Sequence, residues 1–142
     1  MRRILLAGAA GAAIGAGGLS QATQGDRGRQ AVRKLSERDV IEKLDGKDAR
    51  VTTVEVSFEP GASGRPHRHP GPVFGYVIEG EFELGLDDQP VKRLKAGETF
   101  YEPGGALHRV SRNPSDRSRT RVLAVMLHPR DAKELVTPAG KE

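Results

Sequence analysis

His67-Arg68-His69 closes the stretch Gly61-Ala62-Ser63-Gly64-Arg65-Pro66-His67-Arg68-His69. His108 closes a second one, Gly97-Glu98-Thr99-Phe100-Tyr101-Glu102-Pro103-Gly104-Gly105-Ala106-Leu107-His108. Alternate residues of a strand project to one face. His67 and His69 therefore reach toward one point together while Arg68 points away. A third imidazole, arriving on a neighbouring strand behind a Gly/Pro turn, completes a facial set of three. Imidazole nitrogens bind metals at roughly 2.0–2.1 Å and suit Zn, Fe, Ni, Cu or Mn. Three neutral ligands leave positions open for water, substrate or dioxygen, whereas a closed structural site wants four protein ligands.

Outward from these stretches the hydrophobic period is two. Val54, Val56 and Phe58 alternate with Thr53, Glu55 and Ser57, the pattern of a half-buried strand. Glu59-Pro60-Gly61 ends it. Phe74 to Ile78 is a second strand, with Glu79-Gly80 reading as a tight hairpin turn into Phe82, Leu84 and Leu86. Asp87-Asp88-Gln89-Pro90 and Lys95-Ala96-Gly97 are further turns around a short extended Val91 to Leu94. Thr99 to Glu102, Leu107 to Val110 and the apolar run Arg121 to Leu127 complete the set, the last as a central strand. Ser36 to Leu44 fits a short helical turn or a leading strand equally. Short strands punctuated by Gly/Pro turns indicate an all-β sandwich or barrel.

Composition agrees. The 142 residues hold 18 Gly and 9 Pro, but only four Phe, two Tyr and no Trp, so the core rests on Val, Leu and Ile in one turn-rich domain. There is no cysteine, which leaves only His and carboxylates as metal ligands. The net charge of +4 is mild, and no basic helix or aromatic–basic interleaving points to nucleic acid. Arg2-Arg3, the uncharged run Ile4 to Leu19 and the small residues of Ser20-Gln21-Ala22 form the three-part pattern of a secretory signal. The run is short and Gly-rich for a membrane span. Residues 1–22 are thus expected to be a cleaved signal peptide, delivering a periplasmic or secreted protein with no stable membrane span.

The two histidine stretches resemble the two motifs of the cupin superfamily, small double-stranded β-helix (jelly-roll) barrels. Gly61, His67, His69 and Gly80 match the first motif, and Gly97, Pro103, Gly105 and His108 match the second. The resemblance implies a barrel over 49–130, a leader or N-terminal arm over 23–48 and a polar tail over 131–142. It also implies a divalent transition metal (Fe, Mn, Cu, Ni or Zn) on His67, His69 and His108. Two positions depart from the pattern. The acidic ligand of the first motif falls on Val73, or on Phe74 with the longer spacing, and the last Asn falls on Arg112, with Asn113 one residue late. With Val73 facing inward the ion would keep its full +2 charge. Such a site resembles three-histidine cupin dioxygenases, in which a substrate oxygen or sulfur supplies the missing charge.

The expected function is an exported metal-binding cupin acting as a metal-dependent dioxygenase on a small organic substrate. The alternatives are a non-catalytic metal- or small-ligand-binding barrel and a Lewis-acid isomerase or lyase. A homodimer through edge strands is expected. Histidine ligands must be neutral, so acid should release the metal toward and below the free imidazole pKa of about 6.5. Among other residues, Phe58, Phe82 and Phe100 read as core, and Tyr76 and Tyr101 as packing residues. His128 reads as a strand-end surface residue, with a fourth-ligand role as the sharper alternative. Glu102 reads as a surface cross-strand partner, or as support for a ligand histidine. Arg65 shares parity with His67 and His69, and is a candidate for a substrate carboxylate. Arg109, Arg112, Arg117, Arg119 and Arg121 read as a solvated basic loop.

Overall fold

The computed structural model describes residues 29–140. The segment 1–22, expected from the sequence to be a signal peptide, lies outside them. The described residues form ten strands and no helix: β1 (Gln30–Leu44), β2 (Lys47–Phe58), β3 (His67–Arg68), β4 (Val73–Glu79), β5 (Glu81–Leu86), β6 (Lys92–Lys95), β7 (Thr99–Glu102), β8 (His108–Arg112), β9 (Thr120–Pro129) and β10 (Thr137–Pro138). They make two five-stranded antiparallel sheets, in the orders β1-β2-β9-β4-β7 and β10-β3-β8-β5-β6. This is the all-β jelly-roll barrel that the family resemblance implied, where the alternation alone left sandwich or barrel open. Arg121–Leu127 is central, since β9 is the third strand of its sheet.

The segment 36–44, open between helix and strand in the sequence, is strand. It belongs to β1, which runs along β2 with two bulges. The hairpin between them turns on Asp45 and Gly46, both at positive φ (50° and 76°), a backbone that Asp-Gly adopts readily. Glu79-Gly80, by contrast, is not a hairpin. β4 and β5 belong to different sheets, so the chain crosses the barrel there. Gly80 (φ 78°) is obligatory, because a Cβ would sit 2.6 Å from the Arg119 carbonyl oxygen.

The inward faces follow the strand period. Phe58, Ala62, Val77, Phe82, Leu84 and Val122 form one buried cluster, and Val54, Val73 and Met126 a second. The rings of Phe58 and Phe82 lie 5.5 Å apart and those of Phe82 and Phe100 5.6 Å apart. Burying each of the first two contributes about 2–3 kcal/mol. Tyr76 and Tyr101 do not pack inside. With Val73, Gly75 and Val77 inward, the alternate residues Phe74 and Tyr76 point out, and Tyr76 and Tyr101 are 43% and 53% exposed. Phe74 and Tyr101 are register partners on that outer face, with ring centroids 5.3 Å apart.

Three further expectations change. Within the arginine run, Arg109 and Arg112 on β8 and Arg121 on β9 are anchored by ion pairs and carbonyls rather than solvated in a loop, whereas Arg119 stays in the exposed loop. Arg112 grips Glu83, Arg121 Glu55 and Arg119 Glu79, and Arg109 donates to the carbonyls of Asp87 and Gln89. Arg117, fully on the surface, fits the original reading. His128 is buried, 3% exposed. Its Nε2 lies 2.9 Å from Thr52 Oγ1 and its Nδ1 2.8 Å from the Pro129 carbonyl, so both nitrogens are occupied structurally. Asn113, one residue late for the motif, is fully buried. Its Nδ2 donates toward the carbonyls of Phe58, Glu59 and Ser118 at 3.2, 3.1 and 2.8 Å, and its Oδ1 accepts from the Ser115 N–H. The register explains the offset. Leu86 pairs with His108 but Gly85 with Val110, so a bulge at Arg109 absorbs the extra residue and returns Asn113 to the inner face.

Candidate metal centre

β3 is only two residues long, yet it brings the motifs together. His67 is the direct register partner of His108 on β8, and β10 covers the other edge of β3 through Thr137↔Arg68 and Pro138↔His67. Arg68 points away, as alternation demands, and donates to the Gly105 carbonyl at 2.7 Å, while the Gly105 N–H donates to the His69 carbonyl at 2.9 Å. The Pro103-Gly104-Gly105 turn is thus latched to the first histidine pair.

The three histidines are brought to one place, each offering a nitrogen, and these nitrogens lie within 4.8 Å of one another. The ring centroids of His67 lie 4.8 Å from those of His69 and 4.9 Å from those of His108. His67 and His69 are partly buried and His108 is buried. His67 Nδ1 lies 2.7 Å from the Arg65 carbonyl, and His69 Nδ1 lies 2.6 Å from the Leu135 carbonyl. A carbonyl only accepts, so each Nδ1 carries the proton and each Nε2 is left with a lone pair. Those two Nε2 atoms face each other at 3.1 Å. Burial, followed by the neighbouring imidazoles, pushes His67 down from 6.5 to about 4 against the opposing pull of the Arg65 carbonyl. Burial lowers His69 as well, opposed by Glu102. Both rings are therefore neutral at neutral pH, and two lone pairs converge with no proton between them. Neither ring nitrogen of His108 has a hydrogen-bond partner. A convergent set of orphaned imidazole nitrogens at these separations fits a transition metal ion.

Val73 is 1% exposed and inward, as expected. Glu102 differs from expectation: it is 4% exposed and faces the centre. Its Oε2 lies 3.2 Å from His108 Nδ1 and 3.7 Å from His69 Nε2. The parity of β7 had signalled this, because Phe100 and Glu102 share a face and Phe100 reads as core. The Leu135 carbonyl, in the segment read as a polar tail, had no signal in the sequence, since any residue supplies a carbonyl. Arg65 meets the centre through its carbonyl.

A groove of about 730 Å³ lies between β6 and β7, lined by Leu84, Leu86, Leu94, Phe100, Tyr101 and Pro103 among others. The three histidines do not line it. Among the described residues no helix is long and apolar enough to cross a membrane.

The family model described as the cupin domain matches residues 54–126, just over half of the 142-residue chain. No curated protein matches the sequence. Among solved structures, the polyketide cyclase RemF from Streptomyces resistomycificus is similar at a TM-score of 0.57 and 25% identity, over 85% of this chain and 80% of its own. KdgF from Halomonas sp. is similar at a TM-score of 0.54 and 25% identity, over 72% of this chain and 81% of its own. An oxalate oxidase in complex with the substrate analogue glycolate reaches a TM-score of 0.52 and 28% identity, over 68% of this chain and 50% of its own. Motif residues that meet at one point between two antiparallel sheets, and a family match that spans β2 to β9, lead to one assignment: this chain belongs to the cupin family.

Proposed function

We propose that this chain is a metal-dependent cupin that holds one divalent transition ion on His67, His69 and His108 and serves dioxygen chemistry on a small organic substrate. The observation that carries the metal reading is the pair of Nε2 lone pairs facing each other at 3.1 Å, with both Nδ1–H groups committed to carbonyls. When bound, the ion supplies a Lewis acid and a docking point for dioxygen. The chain's own residues prepare the site for it. The Arg65 and Leu135 carbonyls fix two tautomers and ring orientations, and Phe82 packs edge-on to His108 with centroids 6.3 Å apart. The groove between β6 and β7, lined by apolar side chains together with Gln89, Lys92 and Thr99, supports a small organic ligand. The likeness to an oxalate oxidase supports a redox role. The segment 1–22 supports export in the same reading.

The test is metal analysis of protein purified without chelators or nickel resin, beside His67→Ala/His108→Ala. About one iron, manganese or copper per chain, lost in the double variant, with oxygen uptake on small organic substrates, is the expected result. Zinc alone, with no oxygen uptake after iron or copper reconstitution, would remove the oxygenase reading in favour of a non-catalytic or Lewis-acid barrel. No metal in either protein, even after reconstitution, would sink the metal reading.

The tail provides a second check. A chain ending at Arg130 lacks the Leu135 carbonyl and β10, so His69 loses its orienting acceptor. Its metal affinity should fall about 10- to 100-fold, the usual cost of losing such a partner. Chelator competition measures this, and unchanged affinity would show that the tail does not hold His69.

A further inference from the structure

We propose that Glu102 is a fourth protein ligand of this centre, a carboxylate delivered from β7 in place of the one that position 73 lacks. The inference rests on the three-histidine reading above and adds to it a residue at an unspecified position of the second motif, between Gly97 and Pro103.

The register carries the first part. Val73 of β4 pairs directly with Glu102 of β7. Register partners present their side chains on the same face, with Cβ atoms about 4.5–5.5 Å apart. Moving a carboxylate from position 73 to position 102 therefore keeps it beside the same point of the barrel wall. Both residues are buried there, Val73 at 1% and Glu102 at 4% exposure. Val73 fills the space of the displaced side chain and packs against Val54 and Met126.

Distance and direction carry the second part. With metal–ligand bonds of roughly 2.0–2.2 Å, neighbouring ligand atoms of one ion lie about 3.0–3.5 Å apart, each aimed at the ion rather than at the other. The His67 and His69 Nε2 atoms stand 3.1 Å apart in this way. Glu102 Oε2 stands 3.2 Å from His108 Nδ1, yet that nitrogen has no hydrogen-bond partner. The carboxylate is close to the ring nitrogen but out of line with it. It also lies 3.7 Å from His69 Nε2, the lone-pair side of that ring. Among the described residues, no arginine or lysine is paired with Glu102. A buried carboxylate without a cationic partner is expensive, and a divalent ion between it and the histidines removes that cost. The ion then carries three imidazoles and one carboxylate, with a net charge of +1 instead of +2. The substrate no longer has to bring the compensating negative charge.

Cobalt(II) titration of the metal-free protein tests this, read by chelator competition and by the visible absorption of the bound ion. Glu102→Gln keeps the volume and an acceptor oxygen. If Glu102 only oriented His108, this variant would bind within about 100-fold of wild type with unshifted bands, the usual range for losing an orienting partner. As a ligand, its loss should weaken binding by more than about 100-fold, beyond that range, and shift the cobalt bands. In Glu102→Ala, added formate should restore part of the wild-type spectrum by re-entering the vacated position. Thermal melts of the metal-free variants report whether they fold. Unshifted bands and affinity within about 100-fold of wild type in Glu102→Gln, with no response to formate in Glu102→Ala, would overturn the assignment while leaving the three-histidine site standing. A wild-type protein that binds no cobalt would overturn both readings together.

Discussion

Gly71→Ala should destabilise the protein by about 3 kcal/mol or more, at the severe end of overpacking effects. Gly71 is buried between the histidine pair and β4. A Cβ there would lie 2.0 Å from the Leu127 carbonyl oxygen, 3.0 Å from its carbon and 3.1 Å from His128 Cα. All three atoms are backbone of β9, the middle strand of its sheet, and no rotamer change relieves them. The neighbouring Leu127 N–H donates to the Pro72 carbonyl at 3.0 Å, which holds the two segments at that approach. Gly75→Ala is the informative contrast. Its Cβ would meet the tip of the Phe100 ring at 2.0 Å, a side chain that can be trimmed. Gly75→Ala should therefore recover part of its loss when combined with Phe100→Leu, whereas no neighbouring side-chain replacement should recover Gly71→Ala. Urea midpoints of Gly71→Ala, Gly75→Ala, Phe100→Leu and Gly75→Ala/Phe100→Leu decide the matter. A Gly71→Ala protein within about 1 kcal/mol of wild type would mean that this close approach to β9 does not exist in solution.

The metal-free protein should lose about 2–3 kcal/mol of stability between pH 6.5 and pH 4 through His67, at about 1.4 kcal/mol per tenfold change in proton affinity. The folded site holds His67 down from 6.5 to about 4. Below 6.5 the unfolded chain takes up a proton that the folded chain refuses, so acid favours unfolding. The loss is absent above pH 6.5 and complete once the pH reaches about 4, where the folded site accepts the proton too. His69, lowered in the same direction, adds to it. His67→Ala removes its share, so denaturation of metal-free wild type and variant at pH 7.5 and 4.5 should give a visibly flatter profile for the variant. Equal slopes would refute the burial of His67. The same depression carries acid release of a bound ion below the free-imidazole range expected from the sequence, because protons compete weakly for these rings.

The strands β2 and β4 through β9 were legible because side-chain alternation is a property of a few consecutive residues. Two histidines separated by one residue share a face for the same local reason, so their convergence was readable before any tertiary structure. The fate of Glu102 was half-legible. Alternation with Phe100 turned it inward, but only the β4–β7 register puts it opposite Val73. The hairpin at Glu79-Gly80 misled because a glycine turn looks the same whether the strands it joins pair or part into different sheets. Asn113 looked misplaced until the Arg109 bulge, a mismatch between two paired strands, restored its direction.

The barrel and the three imidazoles were thus written into local periodicity and spacing. The tertiary structure alone decided what surrounds them. The Leu135 carbonyl orienting His69, the His128 ring spent on Thr52 and the buried Glu102 carboxylate all depend on which distant backbone segments meet. Contacts between segments far apart in the chain are set by sheet order and register, and backbone carbonyls carry no residue signature. Period and spacing therefore reveal which side chains share a face, but not what the opposite strand brings to them.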